Sequence, residues 1–575
     1  MSEENKKESW RSEYSTGDEP VEKMPGAGKP EAAKTDDAKT DDGGGGVPRR
    51  DFIGAAALGA GGIATGISFY FRKGVKNPSA EEVKGWRAEH LGGGEKVRTG
   101  HIGVGNRGGS LLRTALQVPG SMPIAVCDKQ AEKIKDFKKS IQDVISRRDG
   151  KESAEVAVQT SDDYRRVLDN KDVEAVFIAT PHYLHGPMAI DAVEAGKHVY
   201  CEKAMAFTIG ENQDIVDLVE GGAKTPEGKD IVFQVGHQRH YSPLYQKVAD
   251  MIHGDNIGEV ATIRAQWNQN DKISRPAPSL ELERIINWRL YSEYSGGLTT
   301  EFATHQIDVA NWFFGEGDHV GVAPHSVRGY GGVDWYYQDA RDTHDNIHLI
   351  FTYKVPAVER DAFGGVKKDS AGKLVYEKDP SGGIRKREVT FDYMCTMANA
   401  HIGPSELMLG RYGTIQVSLA GGEFWKEKKA RKDANRIREG TNPRRAHQKS
   451  ILKSGATMAK LGGTPGEEII EHAPVKGRRP LDLRDDEGKL RLGADKHWSH
   501  FIEPIEGAYD KIETLLAVES FHKCVRLARA GNPFSKELRA SARVGMNSAI
   551  AALMANIAMR EDRTVYWDEF FPKSS

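Results

Sequence analysis

Gly103-Val104-Gly105-Asn106-Arg107-Gly108 spells Gly-x-Gly-x-x-Gly, and its surroundings suit phosphate chemistry. Lys96–Ile102 before it is strand-like, and Leu111, Leu112, Ala115 and Leu116 after it follow a helical pattern. Gly103 permits a tight turn. Gly105 lets the backbone approach a pyrophosphate, and Gly108 lets the helix lie close to the strand. The helix start, with Asn106 and Arg107, then offers free N–H groups and a positive dipole end to anionic oxygens. Alone the motif is weak, because the chain holds 62 glycines. The next apolar segment, Pro123–Cys127, ends at Asp128, near the position of a ribose-binding carboxylate. Such a carboxylate accepts from a 2′-hydroxyl and repels a 2′-phosphate, which favours NAD over NADP. Lys129 beside it weakens that preference and leaves NADP admissible.

These residues need a scaffold, and the following segments supply one. Val173–Ala179 is a continuous apolar run of the kind buried on both faces of a parallel sheet. His198–Cys201 and Ile231–Val235 are further strands, and residues 187–195 and 208–220 are helices, the first ending at Gly196 as its C-cap. This alternation predicts an α/β fold, a Rossmann-type doubly wound parallel sheet over residues 96–235. Ligands bind at the carboxyl ends of such strands. Here those ends carry Gly103–Gly108, Asp128, Thr180–His185, Glu202, Lys203 and Gly236–Tyr241. Thr180, His185 and Glu202 are assigned to the cofactor side, and Arg239 and Tyr241 to the substrate side.

The strand ends and the segments after them resemble the Gfo/Idh/MocA family of oxidoreductases. The resemblance rests on Gly103–Gly108, Ala195-Gly-Lys-His-Val-Tyr-Cys-Glu-Lys203, Ile257-Gly-Glu-Val260 and Gly296-Gly-Leu-Thr-Thr-Glu-Phe-Ala-Thr-His305-Gln-Ile-Asp308, and covers residues 96–315. It implies that Lys203 lies beside the nicotinamide and the reacting hydroxyl. A lysine at a buried strand end would have a lowered pKa and could trade a proton. The family's Glu-Lys-Pro reads Glu202-Lys203-Ala204 here, so a cis bond after Lys203 lacks the discount of a few kcal/mol that proline gives. The family's Asp-x-x-x-His pair reads Glu301 and His305, which helical spacing puts on one face with Asp308 and Trp312. The resemblance casts His305 as the group that takes the hydroxyl proton, and Glu301 as the group that orients it or binds another hydroxyl. It also implies a second α+β domain with a large open, mostly antiparallel sheet, and dimers or tetramers.

That second domain spans 236–575. Val260–Trp267, Asp345–Tyr353, Val389–Met394 and Thr414–Leu419 are its strand candidates. Residues 509–530 and 536–560 are helical. Trp288, Arg289 and Tyr291 suit a sugar or carboxylate cleft, although core packing explains the tryptophan equally well. Lys426–Lys449 holds ten Lys/Arg against three acids, read as a solvated part of a surface insertion near 420–490.

The chain's 575 residues, 38% hydrophobic and with net charge −2, give no global signal for nucleic acid. No Cys-x-x-Cys or Cys/His cluster suggests zinc, and Cys127 and Cys201 read as buried free thiols. Residues 1–47 are too polar to fold and read as disordered. Arg49-Arg50 precedes an uncharged Gly/Ala-rich run to Phe71, the pattern of a twin-arginine export signal over 48–72, followed by a linker over 73–95. Uncleaved, that run would be a membrane tether, so the expected location is periplasmic, reached through the twin-arginine machinery. Export of the folded protein implies a tightly bound NAD reset in each cycle. Two chemistries satisfy this: hydride transfer between sugar or polyol carbons, or glycoside cleavage by transient oxidation and elimination. A non-catalytic sugar- or cofactor-binding protein is the third reading, opposed by Lys203 and His305.

Overall fold

Val97–Ile102 (β1), Ser121–Cys127 (β2), Gln159–Ser161 (β3), Ala175–Ile178 (β4), His198–Cys201 (β5) and Phe233–Val235 (β6) pair in the order β3-β2-β1-β4-β5-β6, all parallel. The structure, a computed structural model, describes residues 95–152, 155–361, 365–370, 372–418, 421–426, 478–480 and 509–572. The proposed disordered region, export signal and nearly all of the linker and basic insertion lie outside these residues. Among the described residues no helix is long and apolar enough to cross a membrane.

The sheet has the continuous apolar strands that burial on both faces demands: every residue of β4 and β5 is buried. Helices Asn106–Ala115 (α1), Ala131–Asp149 (α2), His185–Glu194 (α3) and Ile209–Glu220 (α4) follow its strands. No apolar stripe announces α2 in the sequence, because only Ile141 and Ile145 are buried along its strongly charged length. The capping box of α4 is complete: Thr208 Oγ1 accepts from Glu211 N, and the Glu211 carboxylate accepts from Thr208 N.

Val260–Trp267 (β7), Ser326–Gly332 (β8), Asn346–Pro356 (β9), Lys386–Thr396 (β10), Pro404–Gly410 (β11), Gly413–Ser418 (β12), Gly421–Lys426 (β13), Arg478–Pro480 (β14) and Val565–Tyr566 (β15) form the second sheet. Its order is β14-β13-β12-β11-β7-β10-β9-β8-β15, antiparallel except for β7 and β10. Burial alternates along β9, with Ile347, Leu349, Phe351, Tyr353 and Val355 inward and Ile350 55% exposed on the other face. The β9–β10 register sets Phe351 opposite Phe391, their rings stacked 5.6 Å apart. Thr304–Phe314 (α6) and Ala542–Glu561 (α8) supply the inner layer, and every residue of α6 is buried. Pro243–His253 (α5) joins the two sheets in sequence.

One element departs from the expected division. Tyr509–Arg529 (α7), read with the second domain, returns to the first sheet. Ala517, Val518, Phe521, Cys524 and Val525 pack with Val97, Leu111, Phe177 and Tyr200. Phe521 meets Phe177 edge-on at 5.3 Å. All four cysteines are buried and free.

Candidate active site

The glycine loop is built as its spacing requires. Gly103 has φ +80°, and a Cβ there would lie 2.6 Å from Ala179 O. At Gly108 a Cβ would lie 1.9 Å from Gly103 O, so only glycine lets α1 sit this close to β1. At Gly105 a Cβ would meet nothing within 4 Å. Gly105 therefore borders open space beside the start of α1, where no side chain caps the helix N–H groups. An uncapped helix start facing an uncrowded backbone fits a pyrophosphate. Asn106 is exposed at the same point.

Asp128 closes the loop from the next strand. Its Oδ2 accepts from Val104 N at 2.8 Å and its Oδ1 from Gln130 N at 2.9 Å, and each oxygen keeps a lone pair. Arg107 Nε donates to Glu202 Oε1 at 2.6 Å, and Arg107 Nη1 to Thr514 Oγ1 of α7 at 3.2 Å. Gly236 faces the Glu202 carboxylate, which a Cβ would approach to 2.8 Å. Thr514 carries no signal in the sequence, because it reaches Arg107 across 407 positions.

Thr180 and His185 brace rather than reach. His185 Nε2 lies 3.0 Å from Thr180 O and Nδ1 lies 2.9 Å from Ala204 O, tying the ends of β4 and β5 together. Burial lowers the His185 pKa against the pull of these carbonyls. The Lys203–Ala204 peptide bond is cis. Lys203 Nζ donates to Thr300 O at 3.2 Å and Glu301 O at 2.6 Å. Both acceptors lie in a π-turn, Thr299–Ala303, whose following N–H, at Thr304, bonds back to Thr299 O. The wider turn frees the Thr300 and Glu301 oxygens for the lysine, so the strand end of one domain is anchored to the helix entry of the other. Burial pulls the Lys203 pKa down, with Glu301 and Glu202 opposing.

Glu301 corrects an expectation. Its carboxylate receives Arg289 Nε at 2.7 Å rather than orienting His305. Burial alone would raise its pKa, but Arg289 and then Lys203 outweigh it and hold the carboxyl at about 2. The guanidinium of Arg289 also lies 4.2 Å from the Trp288 ring, so this pair forms one wall with Glu301. His305 stacks on Trp267 at 5.5 Å between centroids, and its Nδ1 is buried with no hydrogen-bond partner among the described residues. Burial first, then Lys203 and Arg239, lower its pKa well below the ordinary imidazole value, so the ring is neutral and ready to accept a proton.

Arg239 and Tyr241 diverge from the expected substrate role. Arg239 is buried, paired with Glu406, and stands over the Trp267 and Tyr245 rings, so it supports the stack behind His305. The Tyr241 hydroxyl accepts from Arg539 N at 3.1 Å and Ala540 N at 3.3 Å, inside the core shared with α7. Asp308 and Trp312 likewise face buried histidines: Asp308 meets His240 and His237, and Trp312 stacks on His240. Trp267, visible in the sequence only as a strand end, proves to be the surface that orients His305.

Comparison with known proteins agrees with this architecture. Residues 97–225 match the model described as "Oxidoreductase family, NAD-binding Rossmann fold", and residues 245–358 match the "GFO/IDH/MocA C-terminal domain". Levoglucosan dehydrogenase of Pseudarthrobacter phenanthrenivorans is 32% identical over 158 residues, 27% of this chain and 37% of that protein. A glycosyl hydrolase family 109 protein of Saccharopolyspora erythraea is 36% identical over 165 residues, 29% of this chain and 34% of that protein. The matches cover from about a third to 54% of the length of these curated relatives. A solved levoglucosan dehydrogenase, in complex with NADH and L-sorbose, superposes with TM-score 0.52 at 17% identity, over 82% of this chain and 99% of that one, which shows a shared fold.

Proposed function

We propose that this chain, whose two matched domains are those of the Gfo/Idh/MocA oxidoreductase family, moves a hydride reversibly between a hydroxyl-bearing carbon of a sugar or polyol and a bound nicotinamide dinucleotide. One observation carries the reading: neutral His305 and the Lys203 ammonium are brought to one place by the Lys203 bonds to Thr300 O and Glu301 O. The open backbone at Gly105 and the uncapped start of α1 would hold the pyrophosphate, and Asp128 the adenosine ribose, which favours NAD. The nicotinamide, when bound, supplies the hydride acceptor. His305 takes the hydroxyl proton, and the Lys203 ammonium donates a hydrogen bond to the same oxygen as its charge grows. Trp288, Arg289 and Glu301 form the wall that orients the ring hydroxyls. Incubating the purified chain with NAD and a panel of sugars tests this directly. Growth of NADH absorbance with at least one sugar or polyol is expected, and no change in bound or free nicotinamide with any of them overturns the reading.

The family 109 relative favours a second reading, cleavage of a glycoside by transient oxidation at the same site. Release of nitrophenol from nitrophenyl glycosides, dependent on NAD without net NADH, would select it. The Arg49-Arg50 run supports export with cofactor already bound. A reporter fused after residue 95 would reach the periplasm with the arginine pair and remain inside when both arginines become lysine.

A further inference from the structure

Behind His305 lies a string of buried titratable groups that hydride transfer does not otherwise need. The His237 ring stands edge-on to His305, centroids 6.4 Å apart. His237 Nδ1 lies 3.5 Å from Asp308 Oδ2, and the same oxygen lies 3.1 Å from His240 Nε2. His240 Nδ1 then lies 3.0 Å from His319 Nδ1. His237, His240 and Asp308 are each 2% exposed or less, while His319 is half-buried beside the exposed residues 316–318. Trp312 stacks on His240 at 4.6 Å and packs against His319 at 5.0 Å, which holds both rings in line. Ser548 Oγ, 2.7 Å from His237 Nε2, fixes the other end.

A core stabilised for packing alone would not favour three imidazoles and a carboxylate in series, since each buried polar group costs free energy unless paired. We propose that His237, Asp308, His240 and His319 relay the proton between His305 and solvent. The proposal rests on the hydride-transfer reading. In the oxidation direction the substrate C–H pair leaves as hydride to the nicotinamide, and the O–H proton goes to His305 as the carbonyl forms. His305 passes a proton to His237 Nε2, and His237 Nδ1 gives one to Asp308 Oδ2. That oxygen protonates His240 Nε2, His240 Nδ1 protonates His319 Nδ1, and His319 Nε2 releases a proton to water. Reduction runs the string backward. The site itself is closed, with His305 only 7% exposed, so a proton without such a path would stay beside the Lys203 charge. These four are positioning residues that act through His305. The charged and titratable groups facing the outer end are His240, His253, Asp308 and Arg539.

Two measurements on the full chain test the relay. In cofactor-free protein labelled with 15N at imidazole, titrating His319 should move the His240 signals, and Asp308→Asn should uncouple His237 from His240. Independent titration of His319 and His240 overturns the proposal. With NAD and an active sugar in dilute buffer, His319→Ala should lower kcat about tenfold at unchanged KM, the scale of one proton-transfer aid. Added imidazole should restore it. An unchanged rate, or a loss that no buffer restores, overturns the relay, the second marking a structural role. His319→Gln, at the rim of the fold, serves if Asp308→Asn fails to fold. Should the parent move no hydride with any sugar, the functional reading falls, and the titration alone decides whether the string exists.

Discussion

The first sheet buries both faces and the second buries one, and the two contribute different things to the site. β1–β6 are parallel, and their carboxyl ends deliver groups whose positions follow from the backbone: the Gly103–Gly108 turn, Asp128, Glu202 and Lys203. The second domain contributes side chains held by other side chains. His305 is placed by Trp267, Trp267 by Arg239, and Glu301 by Arg289. A parallel strand end is a rigid, local device, whereas the second half of the site depends on contacts between residues far apart in the chain. Substitution should therefore be tolerated differently in the two halves.

The largest expected effect is catalytic and tests whether both halves act on one proton. Lys203→Ala and His305→Ala should each lower kcat by roughly 100-fold to 10,000-fold with NAD affinity retained. If the double variant loses no more than either single one, the two work as a unit. Turnover left unchanged by both would remove them from the chemistry.

Next comes a contrast within the glycine loop. Gly108→Ala drives a Cβ to 1.9 Å from Gly103 O and should cost about 3 kcal/mol or more in urea unfolding. Gly105→Ala has free space and should unfold like the parent while binding NAD about tenfold more weakly by calorimetry, about 1.4 kcal/mol. Equal stability losses would mean that Gly105 serves the fold and not the phosphate.

The buried histidines give a pH test that spans both sheets. Burial lowers His101 and His182 to about 3, and His198, His237 and His522 to about 4. Above the ordinary imidazole pKa, about 6.5, folded and unfolded chains are both neutral at these sites and stability is full. As pH falls below it, the unfolded chain binds protons that the folded chain refuses, so stability drops from 6.5 down to about 4 and, for His101 and His182, on to about 3. The urea midpoint should fall steadily over that window. Glu301 runs with it, since its low folded pKa adds stability above the unfolded carboxylate value that is lost as pH falls toward about 2. A flat midpoint between pH 6.5 and 4 would contradict the burial of these rings.

The smallest effect probes the open face. Ile350→Thr should change stability by no more than about 0.5 kcal/mol in dilute monomer, because its side chain faces outward. A larger, concentration-dependent loss would show that a second copy covers this face.

Much of the first domain was legible. β5 and β7 have the bounds expected from apolar content, and β1, β2 and β4 differ by one to two residues at each end. The glycine spacing announced its own geometry. In the second sheet β9, β10 and β12 were readable from alternation, whereas β8, with three glycines in seven residues, and the short β14 and β15 were not. Strands whose identity comes from pairing rather than from a buried stripe leave little periodic trace.

By itself the sequence determined the fold class, the phosphate loop and the presence of Lys203 and His305, because local spacing and strand-end position carry those properties. Only the tertiary structure decided that Glu301 belongs to Arg289, that Tyr241 belongs to the core, that Trp267 aims His305, and that α7 returns to cover the first sheet. Each of these is a contact between distant segments, and side-chain partners across such distances are chosen by packing and charge in three dimensions, which no local pattern records.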